Sequence, residues 1–186
     1  VKPPAQVRVI GGQWKRSVLP VADVPGLRPS PSRVRETLFN WLGQTLPGWQ
    51  VLDAFAGSGA LGFEAASRGA SKVLMLERHA ALARSLQAQA QRLGATATVQ
   101  VTCTDALAWM GSAAPAAWDL VLLDPPFDAG LHGPAIAAAW PLLREGGLLY
   151  VEAPAPPGLE VEAGVEGFAP WRSAQAGAVW YALFRK

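Results

Sequence analysis

The chain holds a single cysteine, Cys103, and only two histidines, His79 and His132. One thiol excludes an internal disulfide and any zinc site built from several cysteines. Two histidines leave little for metal ligation or a histidine-based triad, so no metal is expected. Charged residues fill only 16% of the 186 positions, against 51% hydrophobic. That balance excludes a disordered tail, a collagen or a coiled coil and is enough for one real core. No apolar run approaches the roughly eighteen residues of a membrane-spanning helix. No apolar stretch comes after Val1-Lys2-Pro3-Pro4, so no secretory signal is visible and a cytoplasmic location is the default expectation.

Acid is scarce at one end. Residues 1–35 carry Lys2, Arg8, Lys15, Arg16, Arg28, Arg33 and Arg35 against Asp23 alone, a net of +6. The rest carry nine bases against thirteen acids, a net of −4. A basic arm on a mildly acidic body suggests a polyanion contact; the plainer alternative is a solvated terminal segment.

Along the chain, Val7–Ile10 reads as a strand turning at Gly11-Gly12, with Gln13–Leu19 as its return partner. Four prolines make 20–31 a loop, and Ser30 or Ser32 could cap the next element. Val34, Leu38, Trp41 and Leu42 fall on one face and predict a helix over 33–43. Strands are then expected at 50–55, 72–77, 98–103, 119–123 and 147–151. Helical segments separate them at 57–68, around Leu82 to Leu93, at 105–110 and at 135–144, the last bent at Trp140-Pro141. This alternation predicts an α/β fold with a doubly wound, mostly parallel sheet. Residues 154–158 read as a loop. A last strand at 176–185 could pair antiparallel with a segment near 160–166.

Gly57-Ser58-Gly59-Ala60-Leu61-Gly62 fits G-x-G-x-x-G between a strand and a helix. Such a loop lets a nucleotide-like ligand approach the backbone at the sheet edge. Glu77, twenty residues after Gly57, is placed to accept from ribose hydroxyls. The bland reading is a tight turn and a surface acid. Asp53, just before the loop, separates two ligand classes. It would repel a diphosphate by roughly 4 kcal/mol at 4 Å and an effective dielectric of 20. S-adenosylmethionine, with a sulfonium and an ammonium, suits it. Asp105 could accept from an adenine amino group, cap the next helix, or both.

Asp124-Pro125-Pro126-Phe127 comes directly after the fourth of these strands. Two prolines remove two backbone donors and hold the chain extended. The Asp124 carboxylate and Pro125 carbonyl are then two acceptors suited to the two hydrogens of an exocyclic amine. Held so, its nitrogen lone pair can be aimed at a methyl group. Phe127 offers a stacking surface. The bland reading is a strand-to-loop corner with an exposed ring. His79 reads as a first-turn residue rather than a catalyst and Cys103 as core. Most of the eight tryptophans should be core or covering residues, with Trp14, beside Lys15-Arg16, left open as an RNA contact.

Together, D-x-F-x-G-S-G and Asp-Pro-Pro-Phe resemble the class I S-adenosylmethionine-dependent methyltransferases that act on exocyclic amines. Arg8-Val-Ile-Gly-Gly12, Gly26-Leu-Arg-Pro29, Arg33 to Leu42 and Asp53 to Gly62 resemble the RsmD-type guanine-N2 methyltransferases of small-subunit ribosomal RNA. The likeness covers nearly the whole chain and weakens beyond about residue 152; the Ala/Pro/Gly-rich 153–170 stretch carries no clear motif. It implies a seven-stranded Rossmann-like methyltransferase sheet (33–186) with a small basic N-terminal extension (1–32). It implies S-adenosylmethionine held by Asp53, Phe55, Gly57, Gly59, Glu77, Arg78, Asp105 and Ala106. It also implies a guanine held by Asp124, Pro125, Pro126 and Phe127, in 16S rRNA within an assembled or assembling small subunit. The RNA would be gripped by Arg8, Lys15, Arg16, Arg28, Arg33 and Arg35.

Three other readings stay open. Similar corners occur in DNA adenine-N6 and cytosine-N4 methyltransferases, which usually need an added recognition domain. A non-catalytic RNA-binding module would have no reason to keep Asp53, Glu77 and Asp124 in register. A nicotinamide dehydrogenase would lack a substrate domain here.

Overall fold

A computed structural model of the chain describes residues 6–155 and 168–186. Strands β1 (Gln6–Arg8) and β2 (Val18–Pro20) form an antiparallel hairpin, Val7 opposite Leu19. Helix α1 (Ser32–Trp41) comes after the proline loop. The main sheet then builds through β3 (Gln50–Asp53), α2 (Ala60–Ser67), β4 (Lys72–Glu77), α3 (Ala80–Arg92), β5 (Val99–Cys103), α4 (Ala106–Ser112) and β6 (Trp118–Leu123). Helix α5 (His132–Ala139), a 3-10 turn (Trp140–Leu142), β7 (Leu143–Ala153), β8 (Arg172–Ala176) and β9 (Val179–Arg185) complete it.

The seven strands lie in the order β5-β4-β3-β6-β7-β9-β8. Five are parallel; β9 runs antiparallel to both β7 and β8. From β3 the chain moves outward to β5 and then returns to β6 on the other side of β3. That reversal opens a crevice at the carboxyl ends of β3 and β6, where open α/β sheets bind ligands.

Strand period sorts the core into two layers. Val51, Val73, Met75, Leu120, Leu122 and Tyr150 pack against α1, α2, α3 and the hairpin. Leu52, Leu74, Leu76, Val121, Leu123 and Leu149 pack against α4 and α5. With both faces covered, the central strands have no polar alternation, which is why they read as continuous apolar runs. No helix among the described residues is long and apolar enough to cross a membrane.

Several boundaries differ from the sequence reading. Neither serine caps α1: Pro31 holds the cap position, without a side-chain bond. Helix α5 ends at Trp140-Pro141, and Leu143 and Arg144 already belong to β7. The expected last strand is β9, beginning at Val179 rather than at 176, because Gly177, at φ +60°, supports a tight turn after β8. The partner of β9 is therefore Arg172–Ala176; the segment near 160–166 lies outside the described residues, as does most of 153–170. Cys103 is exposed, since β5 is an edge strand and Cys103 its last residue. Seven tryptophans are buried or half-buried as expected, and Trp171 is exposed.

Candidate active site

Three acids lie on one face of the sheet at its carboxyl edge. Asp53 ends β3, Asp124 comes directly after β6, and Glu152 lies near the end of β7. Their positions continue the alternation of Val51, Leu122 and Tyr150, so they face the layer that holds α1, α2 and the hairpin. Glu77 ends the neighbouring β4.

The glycine loop is held from below. Asp53, 2% exposed, accepts from the Gly62 amide at 3.0 Å. A Cβ on Gly62 would come 2.9 Å from that carboxylate and 2.6 Å from Met75. Gly57 and Gly59 both adopt positive φ, +53° and +77°. A Cβ on Gly59 would lie 2.6 Å from Leu86 and 2.7 Å from Phe63, so packing alone demands this glycine. A Cβ on Gly57 would lie 3.0 Å from Leu27, which places the Gly26-Leu27-Arg28 loop against the glycine loop. Phe55 is half-buried beneath.

Glu77 is nearly buried, and each oxygen takes one backbone donor: Gly57 at 3.0 Å and His79 at 2.8 Å. A carboxylate has about four lone-pair sites, so capacity for two hydroxyls remains. Asp105 caps α4 through the Ala108 amide at 2.9 Å and is itself exposed, so its capping role is in place and its free oxygen faces outward. Arg78 and His79 are exposed, Ala106 is buried, and His79 stands at the cap position of α3.

Around Asp124 the structure adds residues that the motif reading does not reach. Ser30 Oγ lies 2.6 Å from Glu152 Oε1 and 3.4 Å from Asp124 Oδ2. Tyr150 donates to the same Glu152 oxygen at 2.9 Å. His132 Nε2 lies 2.9 Å from the Glu152 carbonyl, and its ring sits 6.0 Å from that of Phe127. Phe127 is 38% exposed and Pro126 exposed, while Pro125 is buried. Leu123 pairs with Val151, so Glu152 stands one residue beyond that partner, beside Asp124. Aligning the two parallel strands in register is the one sequence signal that could have found it.

Burial and mutual repulsion shape the protonation of these acids. Asp53 is pushed up to about 7, first by burial and then by the charges of Glu77 and Glu152, against the lowering effect of the Gly62 bond. Asp124 is raised well above the usual carboxylate range by burial, then by Glu152 and Asp53. Burial also raises Glu152, opposed by its bonds from Ser30 and Tyr150 and by Arg35. Such a cluster favours a cationic ligand, which would relieve the repulsion, and disfavours a diphosphate. The residues present thus fit S-adenosylmethionine.

The basic arm is partly a scaffold. Arg8, Lys15, Arg16, Arg28 and Arg33 are exposed. Arg35 is not: it is 3% exposed and bonds Glu64, the Ser30 carbonyl and the Arg8 carbonyl. Its place on the inner face of α1, three residues before Leu38, excludes it from phosphate contact. Glu64, fully buried, pairs with Arg35 at 3.4 Å and Arg68 at 2.9 Å, and accepts the amides of Ile10 and Gly11. Trp14 is half-buried against the core.

Comparison with known proteins agrees with this geometry. Residues 7–185 match the family described as conserved hypothetical protein 95. The chain is 40% identical over 189 residues to ribosomal RNA small subunit methyltransferase D of Escherichia coli strain K12, covering 97% of this chain and 90% of that one. It is 40% identical over 153 residues to the protein of the same name from Haemophilus influenzae, covering 79% and 78%. A solved structure from Escherichia coli described as a methyltransferase, yhhF, superposes with a TM-score of 0.84 at 37% identity over 98% of each chain.

Proposed function

Because the chain belongs to the RsmD family of ribosomal RNA small-subunit methyltransferases, we propose that it methylates the exocyclic N2 amine of one guanine in 16S rRNA, with S-adenosylmethionine as donor. The carrying observation is the Asp124–Phe127 corner: paired acceptors and an exposed ring, beside a crowded set of buried acids at the sheet's reversal point. Residues 1–32 act in this reading as the RNA-gripping extension, and 33–186 as the methyltransferase domain of a cytoplasmic enzyme.

Bound on the glycine loop, S-adenosylmethionine would supply a methyl group carried on a positive sulfonium. Gly57 and Gly59 would supply the positive-φ turn that holds the donor, with Phe55 and Ala106 beside it. Glu77 accepts from the ribose hydroxyls, Asp105 from the adenine amine, and Arg78 lies along the same edge. Asp53 balances the donor's positive charge from below. The target guanine must be unstacked to reach this cleft. Phe127 stacks its ring, for about 1–3 kcal/mol. Asp124 and the Pro125 carbonyl hold the two amine hydrogens, and the two prolines bring no N–H to occupy these acceptors. Arg8, Lys15, Arg16, Arg28 and Arg33 hold rRNA phosphates.

The test is mass mapping of rRNA nucleotides after incubating the protein and donor with unmodified small subunits. The expected result is one new N2-methylguanosine in 16S rRNA. A methyl group on adenine or cytosine, or none, would contradict the assignment.

A further inference from the structure

Two carboxylates facing one hydroxyl pose a problem of protons. Ser30 Oγ carries a single hydrogen, within reach of Glu152 at 2.6 Å and Asp124 at 3.4 Å. Tyr150 supplies the second donor to Glu152, on the same oxygen. Among the described residues, Asp124 receives only the long Ser30 contact, and it is crowded by Glu152 and Asp53. Glu152 is 2% exposed and Asp124 is half-buried, and two acids bridged this closely do not both ionise readily.

We propose that Asp124 and Glu152, bridged by Ser30, hold one shared proton in the free protein and release it when the cationic donor binds, leaving Asp124 ionised to receive the proton of the methylated amine. Glu152 and Ser30 act as positioning residues; neither needs to touch the substrate. After methylation the amine N–H bond breaks with its electron pair left on nitrogen, and the proton forms an O–H bond on Asp124. The Ser30 hydroxyl can take that proton while passing its own to Glu152. The pair then again holds one proton, and each cycle sends one proton to solvent, as transfer from a sulfonium to a neutral amine requires. Neighbouring groups set the balance of charge around the pair. Asp53 on β3 opposes further negative charge there, and Arg35 on α1 favours it. His132 on α5 meets Glu152 only at its backbone.

The inference rests on the methyltransferase reading and is tested without turnover. Donor binding is measured by calorimetry at pH 7 in buffers of different ionisation enthalpy, which counts protons released. Wild-type protein should release roughly half a proton or more beyond what Glu152→Gln releases. Gln keeps the acceptor for Ser30 and Tyr150 but removes the charge that keeps Asp124 protonated. Asp53→Asn, which removes the other titrating acid, should retain that difference. The wild-type chain should also release fewer protons with S-adenosylhomocysteine, which lacks the sulfonium. Equal release by wild type and Glu152→Gln, or by the two ligands, would overturn the shared proton. Failure of the donor to bind any variant would instead overturn the reading beneath it.

Discussion

Asp124 is the residue on which the proposed chemistry turns, and its environment separates binding from reaction. It contacts Ser30 and neighbours Glu152, while the glycine loop is held by Asp53 and Glu77. Asp124→Ala should therefore abolish methyl incorporation, by a factor of about a thousand or more, an electrostatic and orienting loss. Donor affinity should change less than about tenfold, one 1.4 kcal/mol step. Calorimetry and methyl incorporation on the same preparation check the division; equal loss of both would contradict it. Asp53 makes a prediction with a sign. Its carboxyl rises from 3.8 to about 7 on folding, so the folded state holds its proton longer than the unfolded chain. Its contribution is thus most favourable below pH 4, is lost as pH rises toward 7, and above that destabilises by on the order of 4 kcal/mol. Asp53→Asn should flatten the fall in urea stability between about pH 4 and 7, and cation binding in the wild type should tighten over the same range.

The acids that end strands at a glycine loop and a proline corner were legible from spacing alone, because those motifs place them in sequence. Ser30 and Glu152 were not, because they lie 122 residues apart and only the fold, with its β6–β7 register, brings them to one site. The position of Ser30 before α1 suggests a cap, and its hydroxyl instead serves the site. Arg35 escapes a sequence reading for a related reason: net charge counts a guanidinium without saying which helix face it occupies.

At the scale of elements, the basic arm is bolted to α2. The carboxylate of Glu64 accepts the amides of Ile10 and Gly11 and pairs with two buried arginines. Gly12 approaches the same helix closely: a Cβ there would stand 1.9 Å from the Ser67 carbonyl, at φ +77°. Removing one member of a buried ion network leaves the others unpaired, which costs about 3–5 kcal/mol. Glu64→Ala should lose that much in urea denaturation, while Arg8→Ala, on an exposed side chain, should lose less than about 0.5 kcal/mol. Comparable losses in the two variants would show that the hairpin is not anchored through Glu64. The strand and helix order was legible because each central strand is an apolar run and most of the connecting loops carry glycine or proline. The β8–β9 turn was not, since Ala174 to Ala182 offers Gly177 as its one glycine and holds no proline, asparagine or aspartate.

Across the whole molecule the contacts form one chain from arm to chemistry. Arg35 bonds the Arg8 carbonyl on β1, the Ser30 carbonyl in the proline loop and Glu64 on α2. Ser30 then reaches Glu152 and Asp124. Leu27 from the same loop covers Gly57. The segment that carries the exposed basic side chains thus also builds part of the cleft. Arg8, Arg16 and Arg33 changed together to Ala should weaken binding to small-subunit RNA. They should also reduce the slope of log affinity against log salt by about 2–3, since each phosphate contact contributes roughly 0.7–0.9. An unchanged slope would remove the arm from the interface.

All of these scales meet in the cluster of acids proposed to seat a cationic methyl donor beside the Asp124–Phe127 corner. A crystal structure with S-adenosylhomocysteine decides whether that site exists as described. The ligand should lie on the Gly57–Gly59 loop, its ribose on Glu77 and its sulfur facing the Asp124–Phe127 corner. A ligand bound elsewhere, or a sulfur turned away from Asp124 with that corner open to solvent, would contradict it.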